Sequence, residues 1–352
     1  MTAHPRVDPV DGSFIFYSTQ MFDAPHARYS VIDRYGNHQI WKHGVDTGRA
    51  KMYVSPPSHS SDTKNILDAN DRMHDFGCTR THTIFLNLPL TLSPPNMVSF
   101  KPQPLIHFDR TLPSEFIIFP RLHPDRIIRF IDPEPCLIFH TANSWDDYNT
   151  NGEVIAINML GCRFKSAKLV YSAGAVDVPK IERQFGKDDI VQLYYYRFDL
   201  TTGAISHAFP LAGIPFEFPT VPPAMGMMPS KYVYGCTMAS GSFDERLGGA
   251  AKVDCLVKLD VLELIARGKK RGFGKWDEPV DNRSAGEIIA DGKRGEGVIS
   301  IFNCPDGWYA QEPRFVSRQN GREEDEGYLL SYGKSSMSLF LKVTHLLEER
   351  RR

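Results

Sequence analysis

RMHDFGCTRTHTIFLNLPL, residues 72–90, sets a histidine and an aspartate, His74 and Asp75, at the head of an apolar run of β-strand type, TIFLNLPL. A single histidine in that position is ordinarily a core residue satisfied by backbone hydrogen bonds. Two further histidines share the position. His4 lies in TAHPRVDP, just before SFIFYS, and His140 closes the apolar run CLIFH and opens TANSWDD. The three are separated by 70 and 66 residues (74 − 4 and 140 − 74). A propeller blade takes about 40–50 residues, so each interval is a blade with its loops. The innermost strand of a blade lines the axis, and one histidine per blade can converge there. No local metal motif of the HExxH kind accompanies the three. On spacing alone, core or turn histidines held by backbone hydrogen bonds are the better reading.

Outward from this run, strand signals dominate the chain. Short stretches rich in aromatic and β-branched residues recur at 13–18, 28–33, 38–43, 82–88, 116–120, 126–131, 136–140, 153–158, 191–198, 204–209, 231–237, 250–257, 298–302, 314–317 and 327–332. Turn residues separate them, as in VDPVDGS, DRYGN and DLTTGA. Regular spacing of this kind predicts an all-β propeller, barrel or sandwich. Helical periods are few. DVLELIARGK, 260–269, reads as a short helix ended by Gly268, and the terminal stretch 336–352 is a second helix candidate. The polar, glycine-rich segment 268–297 reads as a long insertion or surface loop.

The chain has 352 residues, 41% hydrophobic and 24% charged, with a formal net charge of −1, which is the composition of a globular protein. Near-neutrality gives no basis for a nucleic-acid partner. Six cysteines, Cys78, Cys136, Cys162, Cys236, Cys255 and Cys304, lack CxxC spacing and read as reduced apolar residues. The opening MTAHPRVDPVDGS has no basic and apolar leader pattern, and no apolar run reaches the roughly 18 residues of a membrane helix. A cytoplasmic location is expected.

Several segments, in order, resemble the carotenoid cleavage oxygenase family. TAHPRVDPVDG, MHDFGCT and FHTANSWDD resemble its first three histidine segments. PFEFPTVPP and EPRFVSR, the latter followed by EDEGYLLSY, resemble its glutamate segments. The resemblance covers roughly residues 2–332. It implies a seven-bladed β-propeller with Fe(II) on its axis, held by four neutral histidines. It also implies O₂-dependent cleavage of a C=C bond in a carotenoid, apocarotenoid or stilbene. Carried over residue by residue, His4, His74 and His140 match three metal ligands. Glu217 and Glu312 match carboxylates that accept the ligands' other ring N–H. Asp75 and Asn143 are expected to hold loop backbone near the ligands. The remaining nine histidines read as surface or structural residues.

The family pattern has two parts that this sequence does not match. Relatives carry strands before the first histidine segment, and a fourth histidine in a segment like His-Gly-Thr after the GYLLSY strand. Here the chain reads GKSSMSLFLKVTHLLEERRR, with His345 in an amphipathic, basic context. The expectation is an incomplete propeller domain over 1–332 and a divergent basic tail over 333–352. The expected partners are O₂ and an apolar polyene or stilbene-like molecule, with peripheral membrane contact to extract it. The alternative reading is a catalytically inactive, truncated member of the family lacking the fourth iron-ligating histidine.

Overall fold

The computed structural model describes residues 2, 4–19, 25–47, 70–71, 73–92, 106–173, 190–243, 253–292, 297–335 and 339–344. These residues are mostly strand with few helices, so the protein is all-β. The chain divides into two compact units: residues 1–77 with 81–137, and residues 78–80 with 138–352.

In the first unit, Arg6–Val7, Phe14–Thr19, Ala27–Ile32 and His38–Val45 form one antiparallel sheet in chain order. Alternation sets its faces, with Ile15 and Tyr17 turned inward along Phe14–Thr19. The expected turns close it. Asp33 Oδ1 accepts the amides of Tyr35 and Asn37, each at 2.9 Å, and Gly36 takes φ +87°. A second sheet pairs Ser114–Pro120 with His82–Asn87 on one side and Ile128–Asp132 on the other. From Thr83 to Asn87 every side chain is buried, which explains why this run reads as nearly continuous apolar sequence. Tyr17, Tyr29, Phe76, Phe85 and Phe119 pack edge to face between these strands, with centroids 5.1–6.3 Å apart. Asp8 and Arg121, both buried, pair at 2.7 Å and tie the first hairpin to the turn after Ser114–Pro120.

In the second unit, Leu137–Tyr148, Val154–Phe164, Gln192–Asp199 and Ala204–Pro210 lie side by side in that order, and Gly274–Lys275 adds a parallel edge. Glu217–Thr220, Tyr232–Thr237, Cys255–Asp260 and Ile299–Asn303 make an antiparallel sheet, also in chain order. Gly327–Ser335 pairs with Trp308–Ala310, Arg314–Ser317 and Leu339–Thr344. Four-stranded sheets whose order follows the chain are the units from which propellers are built. The six cysteines are thiols, five of them buried. No helix among the described residues is long and apolar enough to cross a membrane.

Four expectations need correction. The strand expected to end at His140 continues to Tyr148, because its polar residues Thr141, Asn143, Ser144 and Asp146 are buried as well. Within the terminal helix candidate, Leu339–Thr344 is a strand, because its backbone completes the ladder of Gly327–Ser335; residues 336–338 and 345–352 lie outside the described set. Gly268 does not end its helix, which runs Val261–Lys269 with Asp260 as N-cap. A Cβ at Gly268 would meet Phe209 Cε2 at 2.2 Å, so close packing demands glycine there. The segment 268–297 is not simply a loop. It contributes the Gly274–Lys275 strand and the helix Ala285–Ala290, started by a Ser284–Glu287 capping box.

Candidate metal centre

His4 and His74 are brought together by the edge of the first sheet. Thr2 donates its amide to Tyr17 O at 2.7 Å, and its hydroxyl bridges His4 N (3.2 Å) and His74 O (3.4 Å). The Tyr17 hydroxyl donates to Met73 O, one residue before His74. Arg6, two residues after His4, donates to both oxygens of Asp75 at 2.8 and 2.7 Å. Asp75 also accepts its neighbour's amide, Phe76 N, at 2.8 Å. With its carboxylate so engaged and 1% exposed, Asp75 ties the two histidine segments together.

The outcome is an Nε2–Nε2 separation of 3.1 Å between His4 and His74, with the rings inclined at 61°. Two imidazole nitrogens so close either share a proton or direct two lone pairs at one cation. Metal–nitrogen bonds of about 2.0–2.1 Å at angles between octahedral and tetrahedral place neighbouring donors about 2.9–3.4 Å apart. The pair therefore fits adjacent ligands of one ion.

A third candidate histidine lies in the second unit. His140 sits on Leu137–Tyr148 and bonds through Nδ1 to Glu217 Oε2 at 2.5 Å. With the ring donating from Nδ1 to the carboxylate, the neutral imidazole has its lone pair on Nε2. That is the tautomer a metal requires. The same Oε2 accepts Phe218 N at 2.7 Å. Glu217 opens a strand whose register slips before Thr220, and Phe218 takes φ +54°, a conformation unusual for a bulky side chain. Its ring lies 5.4 Å from the imidazole of His140. Glu217 Oε1 is buried with no hydrogen-bond partner among the described residues. Three residues beyond His140, Asn143 donates to Met225 O and Met228 O and accepts from Met227 N, at 3.1, 2.8 and 2.9 Å. It thereby holds the loop that follows Glu217–Thr220.

Glu312 behaves differently from Glu217. Its carboxylate pairs with Arg314 at 2.9 Å and is 39% exposed. Both glutamates still act on one buried thiol: burial first, then the charges of Glu217 and Glu312, hold the Cys236 pKa well above the usual thiol range. His345 and His59 lie outside the described residues. Of the other histidines, His26 and His207 are buried, and His38 and His43 are exposed. Sequence reading missed Thr2, Arg6, Tyr17 and Phe218. The one available signal was the opposite charge of Arg6 and Asp75, each a residue or two past a histidine.

Comparison with known proteins gives consistent matches. The family model described as retinal pigment epithelial membrane protein matches residues 1–341. Carotenoid dioxygenase carX of Gibberella fujikuroi is 36% identical over 377 aligned residues, covering 94% of this chain and 51% of the relative. Carotenoid 9,10(9',10')-cleavage dioxygenase 1 of Arabidopsis thaliana is 29% identical, covering 94% and 49%. Among solved structures, the lignostilbene dioxygenase of Pseudomonas brassicacearum superposes with a TM-score of 0.66 at 17% identity, covering 98% of this chain and 60% of that one. A variant of the Synechocystis apocarotenoid oxygenase gives 0.60 at 18%, covering 95% and 56%. The chain spans about half the length of the curated relatives it matches.

Proposed function

The chain belongs to the retinal pigment epithelial membrane protein family of carotenoid oxygenases, and on that premise we propose that it takes part in O₂-dependent cleavage of a C=C bond in a carotenoid, apocarotenoid or stilbene, with Fe(II) held by His4, His74 and His140. Both oxygen atoms of O₂ end in the two carbonyl groups formed where the double bond was. When bound, ferrous iron supplies the electrons that let O₂ engage a closed-shell alkene, and neutral imidazole ligands suit that ion. The chain's own residues orient the ligands. Arg6 and Asp75 clamp the segments of His4 and His74. Glu217 holds His140 through Nδ1, which favours the neutral tautomer with its lone pair on Nε2. Glu312 is assigned a supporting role, since its charge reaches the same buried Cys236 thiol as that of Glu217. Peripheral membrane contact accompanies the reading, because the polyene substrates are apolar.

The observation that carries the proposal is the opposed Nε2 atoms of His4 and His74, which belong to two of the segments resembling the family's ligand segments. The test is anaerobic loading of the purified chain with Fe(II), then O₂ and a panel of carotenoids, apocarotenoids and stilbenes. Aldehyde or ketone products above a His74→Ala control are expected. An iron-loaded chain that yields none from any member of the panel refutes the reading.

A further inference from the structure

The sequence GKKRGFGKW, residues 268–276, carries four cations and no acid. Phe273 at its tip is 85% exposed, the most exposed large hydrophobic side chain among the described residues. Glycines on both sides take left-handed φ values, +102° at Gly272 and +128° at Gly274. These permit a sharp tip that pushes the ring outward. The tip is not a loose end. On one side Arg271 N and Gly272 N close the end of the helix Val261–Lys269 onto Gly268 O and Lys269 O at 3.0 and 3.1 Å. On the other, Gly274–Lys275 pairs with His207–Ala208, and Trp276 stacks on Phe209 at 4.9 Å and 4°. The Phe273 ring leans on the imidazole of His207 at 5.1 Å.

The charges around the ring are arranged on a firm base. Arg271 donates to the carbonyls of Glu278 and Pro279, each at 3.0 Å, and braces the loop through neutral acceptors. Lys270 and Lys275 are exposed beside the tip, and Lys269 lies over the Tyr195 ring. The nearest acid along the chain, Asp277, is paired with Lys165 at 3.0 Å. Cations after a helix are partly accounted for by the helix dipole. The dipole does not explain an apolar ring held out in water by two glycines. Exposed apolar surface rimmed by cations complements an anionic headgroup layer over hydrocarbon.

We propose that the Phe273 loop is a membrane-docking element: the ring inserts at the headgroup–acyl boundary of an anionic lipid surface while Lys270, Arg271 and Lys275 meet the headgroups. This deepens the membrane contact attached to the dioxygenase reading. Lipid binding and turnover are measured separately, so either can fail without the other.

The experiment is co-sedimentation of the full chain with sucrose-loaded vesicles, either pure phosphatidylcholine or phosphatidylcholine and phosphatidylserine in a two-to-one ratio. Binding to the anionic vesicles is expected, and it weakens as salt is raised. Phe273→Ser should lower partitioning by about tenfold with unchanged thermal stability, because the ring is exposed. Lys270→Glu with Lys275→Glu should lose the preference for anionic vesicles, about fivefold or more per cation removed. A basic, aromatic tip also suits single-stranded nucleic acid. Phe273-dependent binding of a labelled oligonucleotide without vesicle binding overturns the proposal. So does equal partitioning of the wild type and Phe273→Ser, or wild-type binding indifferent to phosphatidylserine.

Discussion

Glu217 uses one oxygen twice, for His140 Nδ1 and for Phe218 N, and leaves the other buried. A carboxylate in that setting strengthens the imidazole as a donor to a metal. Glu217→Gln should therefore lower Fe(II) affinity about 10–100-fold in an anaerobic titration. Glu312→Gln should lower it much less, because that carboxylate is half exposed and bonded to Arg314; equal losses would refute the distinction. Asp8 and Arg121 offer a test of stability. Burial pushes the Asp8 carboxyl pKa up, but the Arg121 hydrogen bond, the Val10 amide and the Arg121 charge more than offset it, leaving it below its ordinary value. The native state thus holds this proton less readily than the unfolded chain. The stabilisation is complete above the unfolded value near pH 4, and it disappears as pH falls through the native value. Arg121→Met leaves Asp8 buried without its partner and should cost about 3–5 kcal/mol at neutral pH in urea unfolding. The variant should also lose less stability than the wild type between about pH 5 and pH 3. The matched segments singled out the histidines and Glu217 as candidates in the sequence. The partners that orient them were not legible, because Thr2 reaches His74 and Arg6 reaches Asp75 across 72 and 69 residues of chain.

Strands were the most readable elements, since Phe14–Thr19, His82–Asn87 and Gln192–Asp199 each bury an alternating or continuous apolar set that local sequence displays. Legibility failed where tertiary packing overrides a local signal. Leu137–Tyr148 carries polar residues inward over half its length, so its apolar signal stops at His140 while its ladder does not. Gly268 looks like a helix stop, yet it is a helical position facing Phe209, whose ring is fixed by its stack on Trp276. Two effects of Gly268→Ala oppose one another. Alanine is the better helix former by about 1 kcal/mol. Its Cβ would lie 2.2 and 2.4 Å from two ring carbons that have no room to turn. Overpacking of that kind typically costs about 1–3 kcal/mol and forces a shift. The variant should be destabilised, as read by its melting temperature, and Phe209→Leu in the same chain should recover part of the loss. An increase in stability on Gly268→Ala alone would show that the position is indeed a simple helix end.

His4 and His74 belong to residues 1–77 with 81–137, and His140 to residues 78–80 with 138–352. If one ion is ligated by all three, as proposed, it binds only when both units are folded, and its binding energy becomes stability for both. A ligand at 100 times its dissociation constant adds about 2.7 kcal/mol. Anaerobic Fe(II) should therefore raise the melting temperature of the whole chain, and a chelator should reverse the rise. Hydrogen exchange locates the effect. Amides of Phe14–Thr19 in one unit and of Val154–Phe164 in the other should gain protection together as iron is added. His140→Ala should abolish the gain in both strands as completely as His4→Ala or His74→Ala, since each removes one ligand of the same ion. The arrangement of hydrogen bonds makes the contrast informative: the His4–His74 pair is braced by Thr2, Arg6 and Asp75 without help from His140. It could thus hold a metal weakly by itself. Iron-dependent protection confined to Phe14–Thr19, and unchanged in His140→Ala, would assign the ion to that pair alone and remove His140 and Glu217 from the site.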